Sequence, residues 1–141
     1  MQEIFVDTGA WLALADKRDQ YHRRATAVYP KLLSQSTRLI TTNLVVAESY
    51  NLIRQRLGHK PGIRFLQSLR QSSRLERVYA DMELEITAES ILQQYRDQSF
   101  SLVDAVSFAL MQQRDIQQTF AFDSHFQVMG FIMVPGWLTL R

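Results

Sequence analysis

The fold is set by the stretch EIFVDTGAWLALA, residues 3–15, which joins a short apolar run to a helical one. EIFV at 3–6 is apolar after its first residue, as expected of a strand that is buried in a parallel sheet. Thr8 and Gly9 then supply turn and helix-start chemistry before AWLALA. The stretch therefore predicts a buried strand that delivers Asp7 to a turn.

Short apolar strands alternate with helical segments along the rest of the chain. Further strands are predicted at 38–41, 74–79, 119–122 and 131–134, and helices over 22–36, 44–57, after the turn at 60–62, and over 83–96 and 102–114. Asn43 and Gly58 are expected to bound the helix 44–57, and Pro30 to kink or divide the helix 22–36. This alternation predicts an α/β three-layer sandwich, with a short, mainly parallel central sheet flanked by helices.

The composition is typical of one soluble globular domain, which we expect to span residues 1–141. The chain is 46% hydrophobic and 21% charged, far from the composition of disordered proteins. The absence of cysteine excludes disulfides, cysteine-ligated zinc and thiol catalysis. Neither a signal peptide nor an apolar run near the ~20 residues of a membrane helix is found. A cytoplasmic protein without membrane contact is expected.

Charge is spread unevenly along the chain. One basic run holds a single acid, Glu76, and consists of Arg54, Arg56, Lys60, Arg64, Arg70, Arg74 and Arg77. In the following segment, 81–104, the charged residues are acidic except for Arg96. Such runs are commonly solvated helix faces, but a basic run is also the kind of surface that contacts phosphates.

Three aspartates occupy positions that capping or a shared site could each explain. Asp7 and Asp123 follow apolar strands, so they meet at the carboxyl edge if those strands are neighbours; either could instead form a cap or an Asx-turn. Asp104 lies in SLVDAVSFALM, residues 101–111, an apolar run with no basic residue. A capping box with Ser101 would also explain Asp104.

Glu48 is harder to explain by capping. It shares a predicted helix face with Leu44, Val45 and Leu52, where an unpaired carboxylate would be costly to bury. One shared cause is simpler than four separate ones: the four acids converge on a multivalent cation. Oxygen ligands without cysteine or a histidine cluster suit a hard ion, Mg²⁺ or Mn²⁺. We therefore predict a metal site made by Asp7, Glu48, Asp104 and Asp123.

Four segments of the chain resemble the PIN domain family, and most closely the VapC-type toxins of bacterial toxin-antitoxin pairs. They are IFVDTGAWLAL, TTNLVVAESYNLI, SLVDAVSFALM and TFAFDSHFQVMGFIMVP, in this order. The resemblance implies a Mg²⁺- or Mn²⁺-dependent endoribonuclease that hydrolyses RNA phosphodiester bonds. It implies catalytic and metal-binding roles for the same four acids, with Glu48 a ligand or a residue that orients water, and a catalytic role for Thr8. It also implies a small antitoxin partner and a homodimer.

The chain departs from some of these relatives at one place. They carry a further acid a few residues after the third, whereas Ser107 and Met111 stand here. The number of bound metals, one or two, therefore stays open.

With RNA as the implied substrate, Arg54 and Arg56 are predicted to help bind it. His125 is not predicted to be catalytic; a hydrogen bond that stabilises its turn is the preferred role, and contact with substrate the alternative.

Other functional classes fit the sequence less well. A haloacid-dehalogenase-type phosphatase needs a second Asp where Gly9 stands, and nucleotide-binding glycine motifs are absent. Two alternatives stay open: a PIN-fold module that binds RNA or protein without cutting, and a housekeeping RNA-processing nuclease without an antitoxin.

Overall fold

A computed structural model describes residues 2–34 and 36–136 of the chain, and the end of the predicted domain, 137–141, lies outside them. Within these residues the strands are β1 Gln2–Val6, β2 Thr37–Thr42, β3 Leu75–Val78, β4 Gln118–Phe120 and β5 Ile132–Val134. The helices are α1 Thr8–Ala15, α2 His22–Ser34, α3 Asn43–Leu57, α4 His59–Gln71, α5 Met82–Gln94, α6 Leu102–Gln113 and α7 His125–Val128.

The five strands form one sheet in the order β3-β2-β1-β4-β5, and every pairing between them is parallel. In the register, Phe5 of β1 lies between Ile40 of β2 and Thr119 of β4. The chain moves outward from β1 to β3, then crosses to the other side of β1 for β4 and β5. This reversal opens a crevice at the carboxyl ends of β1 and β4, where ligands bind in open parallel sheets.

Helices cover both faces of the sheet. Right-handed crossovers put α1 to α4 on one face and α5 to α7 on the other, because the direction of travel reverses after β3. The packing agrees, since α1 contacts α2 and α3, α3 contacts α4, and α5 contacts α6. The predicted three-layer α/β sandwich is confirmed.

Aromatic side chains form part of the core on both faces of the sheet. Phe108 of α6 and Phe126 of α7 are fully buried, with ring centroids 5.0 Å apart, and Phe126 also packs on Phe5. On the opposite face Trp11 is buried against Phe65. These contacts hold the elements on both sides of the crevice in place.

Two helix boundaries differ from expectation. The N-cap of α3 is Thr42, whose hydroxyl accepts from the Val45 amide at 3.1 Å. Asn43, predicted as the cap, is the first helical residue, and its Oδ1 accepts from the Ala80 amide at 2.8 Å. Helix α4 already begins at His59, because a proline in the first turn gives up an amide that has no helical partner.

Two other expectations also need correction. Helix α2 runs from His22 to Ser34 with Pro30 inside it, so the proline does not divide the helix. Strand β4 ends at Phe120, two residues earlier than predicted, so Asp123 stands three residues beyond the strand rather than directly after it.

An ion-pair network joins the layers at the amino edge of the sheet, opposite the crevice. The Arg114 guanidinium, at the end of α6, donates to Glu3 at 2.6 and 3.3 Å and to Glu76 at 2.9 and 3.1 Å. These bonds to Arg114, with Arg38 contributing less, hold the pKa of Glu76 below its usual range. The network ties strands β1 and β3 to helix α6.

Removing this guanidinium is expected to destabilise the fold. Arg114→Met should lower the free energy of unfolding by about 1–2 kcal/mol, since it breaks bidentate, partly buried bonds and leaves two acids facing each other. The matched control Arg38→Met removes one exposed 3.3 Å contact with Glu76 and should cost under about 0.5 kcal/mol. Urea unfolding measures both, and equal losses would contradict this account.

Candidate metal centre

Asp7 is the buried carboxylate at the carboxyl end of β1. Its amide donates to the Phe120 carbonyl at 3.1 Å, which puts it beside the end of β4, and only 5% of the residue is exposed. Burial raises the pKa of Asp7, the Thr8 amide lowers it, and the charges of Asp104, Asp123 and Glu48 raise it; together these effects bring it from 3.8 to about 7. The three other predicted acids therefore act on Asp7 electrostatically.

Asp104 forms the capping box considered for it, and its carboxylate also lies close to His125. Its amide donates to Ser101 Oγ, and its Oδ2 accepts from the Ser101 amide, each at 3.0 Å, forming a capping box at the start of α6. The side chain is 14% exposed, and the same Oδ2 lies 3.4 Å from His125 Nδ1. The cap thus fixes the carboxylate in an orientation that faces the site.

Asp123 follows β4 in the loop that enters α7. Its Oδ1 accepts from the His125 amide at 2.9 Å, an Asx-turn, and the carboxylate is 41% exposed. The turn considered for Asp123 is thus present, and it presents the carboxylate at the mouth of the crevice.

Glu48 lies at the border of the buried stripe of α3 rather than within it. The buried positions of that helix are Val45, Val46, Ser49 and Ile53, whereas Glu48 is half-buried. Leu44 and Leu52, expected to pack with it in the core, are half-buried too. The carboxylate is therefore less desolvated than the helical spacing predicted, and it sits on the side of α3 that faces Asp7.

Thr8 carries a buried polar atom without a partner. Its Oγ1 has no hydrogen-bond partner among residues 2–34 and 36–136, and the residue is 6% exposed. Buried hydroxyls are almost always satisfied, so an orphan next to Asp7 fits a group that binds there.

His125 is the residue of the site that the sequence analysis set aside. Its Nδ1 lies 3.4 Å from Asp104 Oδ2 and 3.4 Å from Asp123 Oδ1, and its Nε2 lies 3.4 Å from Ser99 Oγ. Ligand atoms of Asp104, Asp123 and His125 all fall within 4.8 Å of one another, the sole such group in the described part of the chain. The sequence signal for His125 was its position two residues after Asp123, because the turn at Asp123 directs the histidine ring toward that carboxylate.

The cluster has negative charge and no strong counter-charge. No lysine or arginine of the described residues forms an ion pair with Asp7, Glu48, Asp104 or Asp123. Carboxylates held together in this way favour a hard divalent cation. The residues present therefore fit a metal ion.

The two arginines predicted to bind RNA lie away from this cluster, in the last turn of α3. Arg56 approaches Asp19 at 3.3 Å and Asp16 at 3.6 Å, so its charge is partly neutralised within the protein. Arg54 is exposed and lines a cleft of about 530 Å³ with Asn51 and His59. In the described residues Arg54 has no carboxylate partner within 4 Å.

The fold and the acidic crevice define a PIN domain, and the PIN domain family model matches residues 4–132. The chain belongs to this family. It is 35% identical over 133 residues to the 23S rRNA-specific endonuclease VapC20 of Mycobacterium tuberculosis, a match that covers 93% of this chain and 97% of the relative. The resemblance predicted from the four segments is confirmed.

Solved structures agree with this assignment. The crystal structure of Mycobacterium tuberculosis VapC20, described as a Sarcin-Ricin loop cleaving toxin, matches with a TM-score of 0.83 and 32% identity, covering 92% of this chain and 96% of that one. VapBC2 from Rickettsia felis, bound to a promoter DNA fragment, matches with a TM-score of 0.67 and 14% identity, covering 94% and 97%. FitAcB from Neisseria gonorrhoeae matches with a TM-score of 0.63 and 16% identity, covering 92% and 95%. At 14% and 16% identity, the last two structures show only that they and this chain have the same fold.

The membrane prediction can be compared directly with the helices. No helix within residues 2–34 and 36–136 is both long enough and apolar enough to cross a bilayer.

Proposed function

We propose that this protein is a Mg²⁺- or Mn²⁺-dependent endoribonuclease that hydrolyses RNA phosphodiester bonds, and that it is the toxin of a type II toxin-antitoxin pair. The observation that carries the proposal is the buried Asp7 with three nearby carboxylates, none of them in an ion pair with a lysine or arginine of the described residues; burial and these carboxylates raise the pKa of Asp7 to about 7. Such a cluster is costly to maintain, and a binding module has no use for it.

Asp7, Asp104 and Asp123 would hold the ion, with Glu48 as a further ligand or as the group that orients a water. When bound, the ion supplies Lewis-acid activation of water and of the phosphodiester. Asp7 gives up its proton as the cation binds, so metal affinity should increase with pH toward 7. Thr8 Oγ1 lacks a partner in the described residues, which supports the proposal that it donates to a carboxylate or to a phosphate oxygen.

The substrate proposed is the sarcin-ricin loop of 23S rRNA. The support is the relative VapC20, which is named for action on 23S rRNA and whose structure is described as that of a Sarcin-Ricin loop cleaving toxin. The match to that relative covers 93% of this chain.

Cleavage of end-labelled RNA tests the proposal. The purified protein is incubated with a sarcin-ricin hairpin and with an unrelated hairpin of the same length, in Mg²⁺ or Mn²⁺, with EDTA and with Asp104→Asn as controls. Cutting of the first hairpin that stops in both controls is the expected result. If both RNAs are cut equally, the proposed substrate is wrong; if neither is cut but both are bound, the non-cutting PIN module is favoured.

Arg54 and Arg56 are proposed to contribute to RNA binding unequally. Arg54→Gln should weaken RNA binding and reduce the salt slope of log K by roughly 1, since it removes an unpaired charge that can contact phosphate. Arg56→Gln should have a smaller effect, because Asp16 and Asp19 already neutralise that guanidinium. Filter binding with Asp104→Asn as the background, at several salt concentrations, measures both slopes. An unchanged salt slope for Arg54→Gln would show that Arg54 does not contact the RNA backbone.

The partners proposed are a small antitoxin and a second copy of the chain. An antitoxin segment led by Arg or Lys would enter the acidic crevice and block it. The single domain is proposed to extend over residues 1–141 and to act in the cytoplasm. A housekeeping nuclease is the alternative, and a small reading frame next to the coding sequence would argue against it.

A further inference from the structure

The contacts of the His125 ring differ from ordinary hydrogen bonds. Its Nδ1 lies 3.4 Å from a carboxylate oxygen of Asp104 and 3.4 Å from one of Asp123. Hydrogen bonds from nitrogen to oxygen are normally 2.7–3.2 Å long, so both contacts are too long to be good ones. The three atoms form a triangle in which the nitrogen is equidistant from both oxygens.

The same separations fit a shared cation. Ligand bonds of about 2.0–2.4 Å, meeting at angles between about 90° and 110°, put neighbouring ligand atoms about 2.8–3.9 Å apart. The nitrogen-to-oxygen separations of 3.4 Å fall within that range, and all three ligand atoms lie within 4.8 Å of one another. Nδ1 is therefore placed as a third ligand.

The surroundings of the ring favour this use of Nδ1. Nε2 lies 3.4 Å from Ser99 Oγ and forms no ion pair with a carboxylate of the described residues, so it can carry the ring proton and leave a lone pair on Nδ1. The ring also packs edge-on against Phe100, with centroids 5.1 Å apart. The Asx-turn from Asp123 to the His125 amide fixes the backbone. The packing of the ring and the backbone turn thus both orient Nδ1 toward the two acids.

We infer that His125 is a nitrogen ligand of the metal centre and that it makes the centre favour a transition-metal dication such as Mn²⁺ over Mg²⁺. This inference rests on the proposed function, because it assumes that the acids bind a metal. Mg²⁺ strongly favours oxygen ligands and keeps its waters, whereas first-row transition metals accept imidazole. The oxygen-only site predicted from the sequence therefore becomes a mixed oxygen and nitrogen site.

Pulsed electron paramagnetic resonance of Mn²⁺ bound to the full chain, without RNA, tests the inference. A directly bound imidazole nitrogen gives a characteristic ¹⁴N coupling, which we expect in the wild type and in the control His59→Phe, whose ring is exposed on α4. The coupling should be absent in His125→Phe, where the new ring can still pack on Phe100. Ser99→Ala should keep the coupling, because it leaves the ligand itself in place.

Titration calorimetry with each ion alone gives a second measure. His125→Phe should weaken Mn²⁺ binding at least about tenfold and Mg²⁺ binding much less, so that the ratio of the two affinities falls. Mn²⁺ that binds the wild type without nitrogen coupling, or an unchanged ratio in the variant, would overturn the inference and leave the metal-dependent nuclease intact. A wild type that binds neither ion would overturn both.

Discussion

Replacing Asp7 by Asn is expected to abolish RNA cleavage and, at the same time, to stabilise the metal-free protein. Loss of a metal ligand should lower the cleavage rate at least about a thousandfold, or about 4 kcal/mol of transition-state stabilisation. The stability gain follows from the raised pKa: the buried carboxylate resists ionisation, and the amide carries no charge.

The gain has a definite pH dependence. The folded protein keeps the Asp7 proton up to about pH 7, whereas the unfolded chain releases it near 3.8. Wild-type stability therefore falls between these two values as pH rises, and levels off above the upper one. The stability difference between Asp7→Asn and wild type should grow by about 2–3 kcal/mol from pH 5 to pH 8.

Urea unfolding in EDTA at both pH values measures this difference. The control Asp97→Asn changes an exposed acid outside the crevice, so it should change neither stability nor cleavage. A difference for Asp7→Asn that stays the same at pH 5 and pH 8 would mean that Asp7 is already ionised in the folded, metal-free protein. Retained cleavage would exclude Asp7 from the metal centre.

Replacing Asp104 by Asn is expected to have the second largest effect, and it separates the two roles of this residue. An Asn can still accept from the Ser101 amide, so the capping box and the stability should change by less than about 1 kcal/mol. The negative charge facing the crevice is lost, so cleavage should again fall about a thousandfold.

Ser101→Ala is the matched variant, because it removes the other half of the same capping box. It should destabilise the protein by about 1 kcal/mol and leave cleavage per folded molecule within about twofold of wild type. Thermal unfolding with and without Mn²⁺ adds an independent readout. Saturating ion at about 100 times its Kd should stabilise wild type and Ser101→Ala by about 2.7 kcal/mol, and Asp104→Asn much less. Equal activity losses in both variants would mean that Asp104 acts only as a cap.

Several features around the site could be predicted because they depend on patterns of neighbouring residues in the sequence. A short apolar strand that ends just before Asp7, and a capping box that holds Asp104 in an apolar run, are both visible in a few consecutive residues. Strand alternation then implies a parallel sheet, and a parallel sheet brings its carboxyl ends to one edge. Each of these steps uses only neighbours along the chain.

Other features depend on contacts between distant segments, and the sequence did not reveal them. Glu48 lies at the border of the core because the rotation of α3 on the sheet is decided by packing against α1 and α4. Asn43 gives up its capping role because its side chain meets the Ala80 amide, 37 residues away. Arg56 is partly neutralised by acids from the turn between α1 and α2, a pairing that the basic run did not indicate.

The amino-acid sequence by itself determined the α/β class and the family, and it predicted the four acids of the site, since periodicity, turn chemistry and motif spacing are local properties. Only the tertiary structure decided that His125 joins Asp104 and Asp123, with its Nδ1 3.4 Å from an oxygen of each. The physical reason is the sheet order, which places the loop after β4 against the start of α6. A histidine two residues after an acid has no fixed role until that packing brings a second acid to its ring.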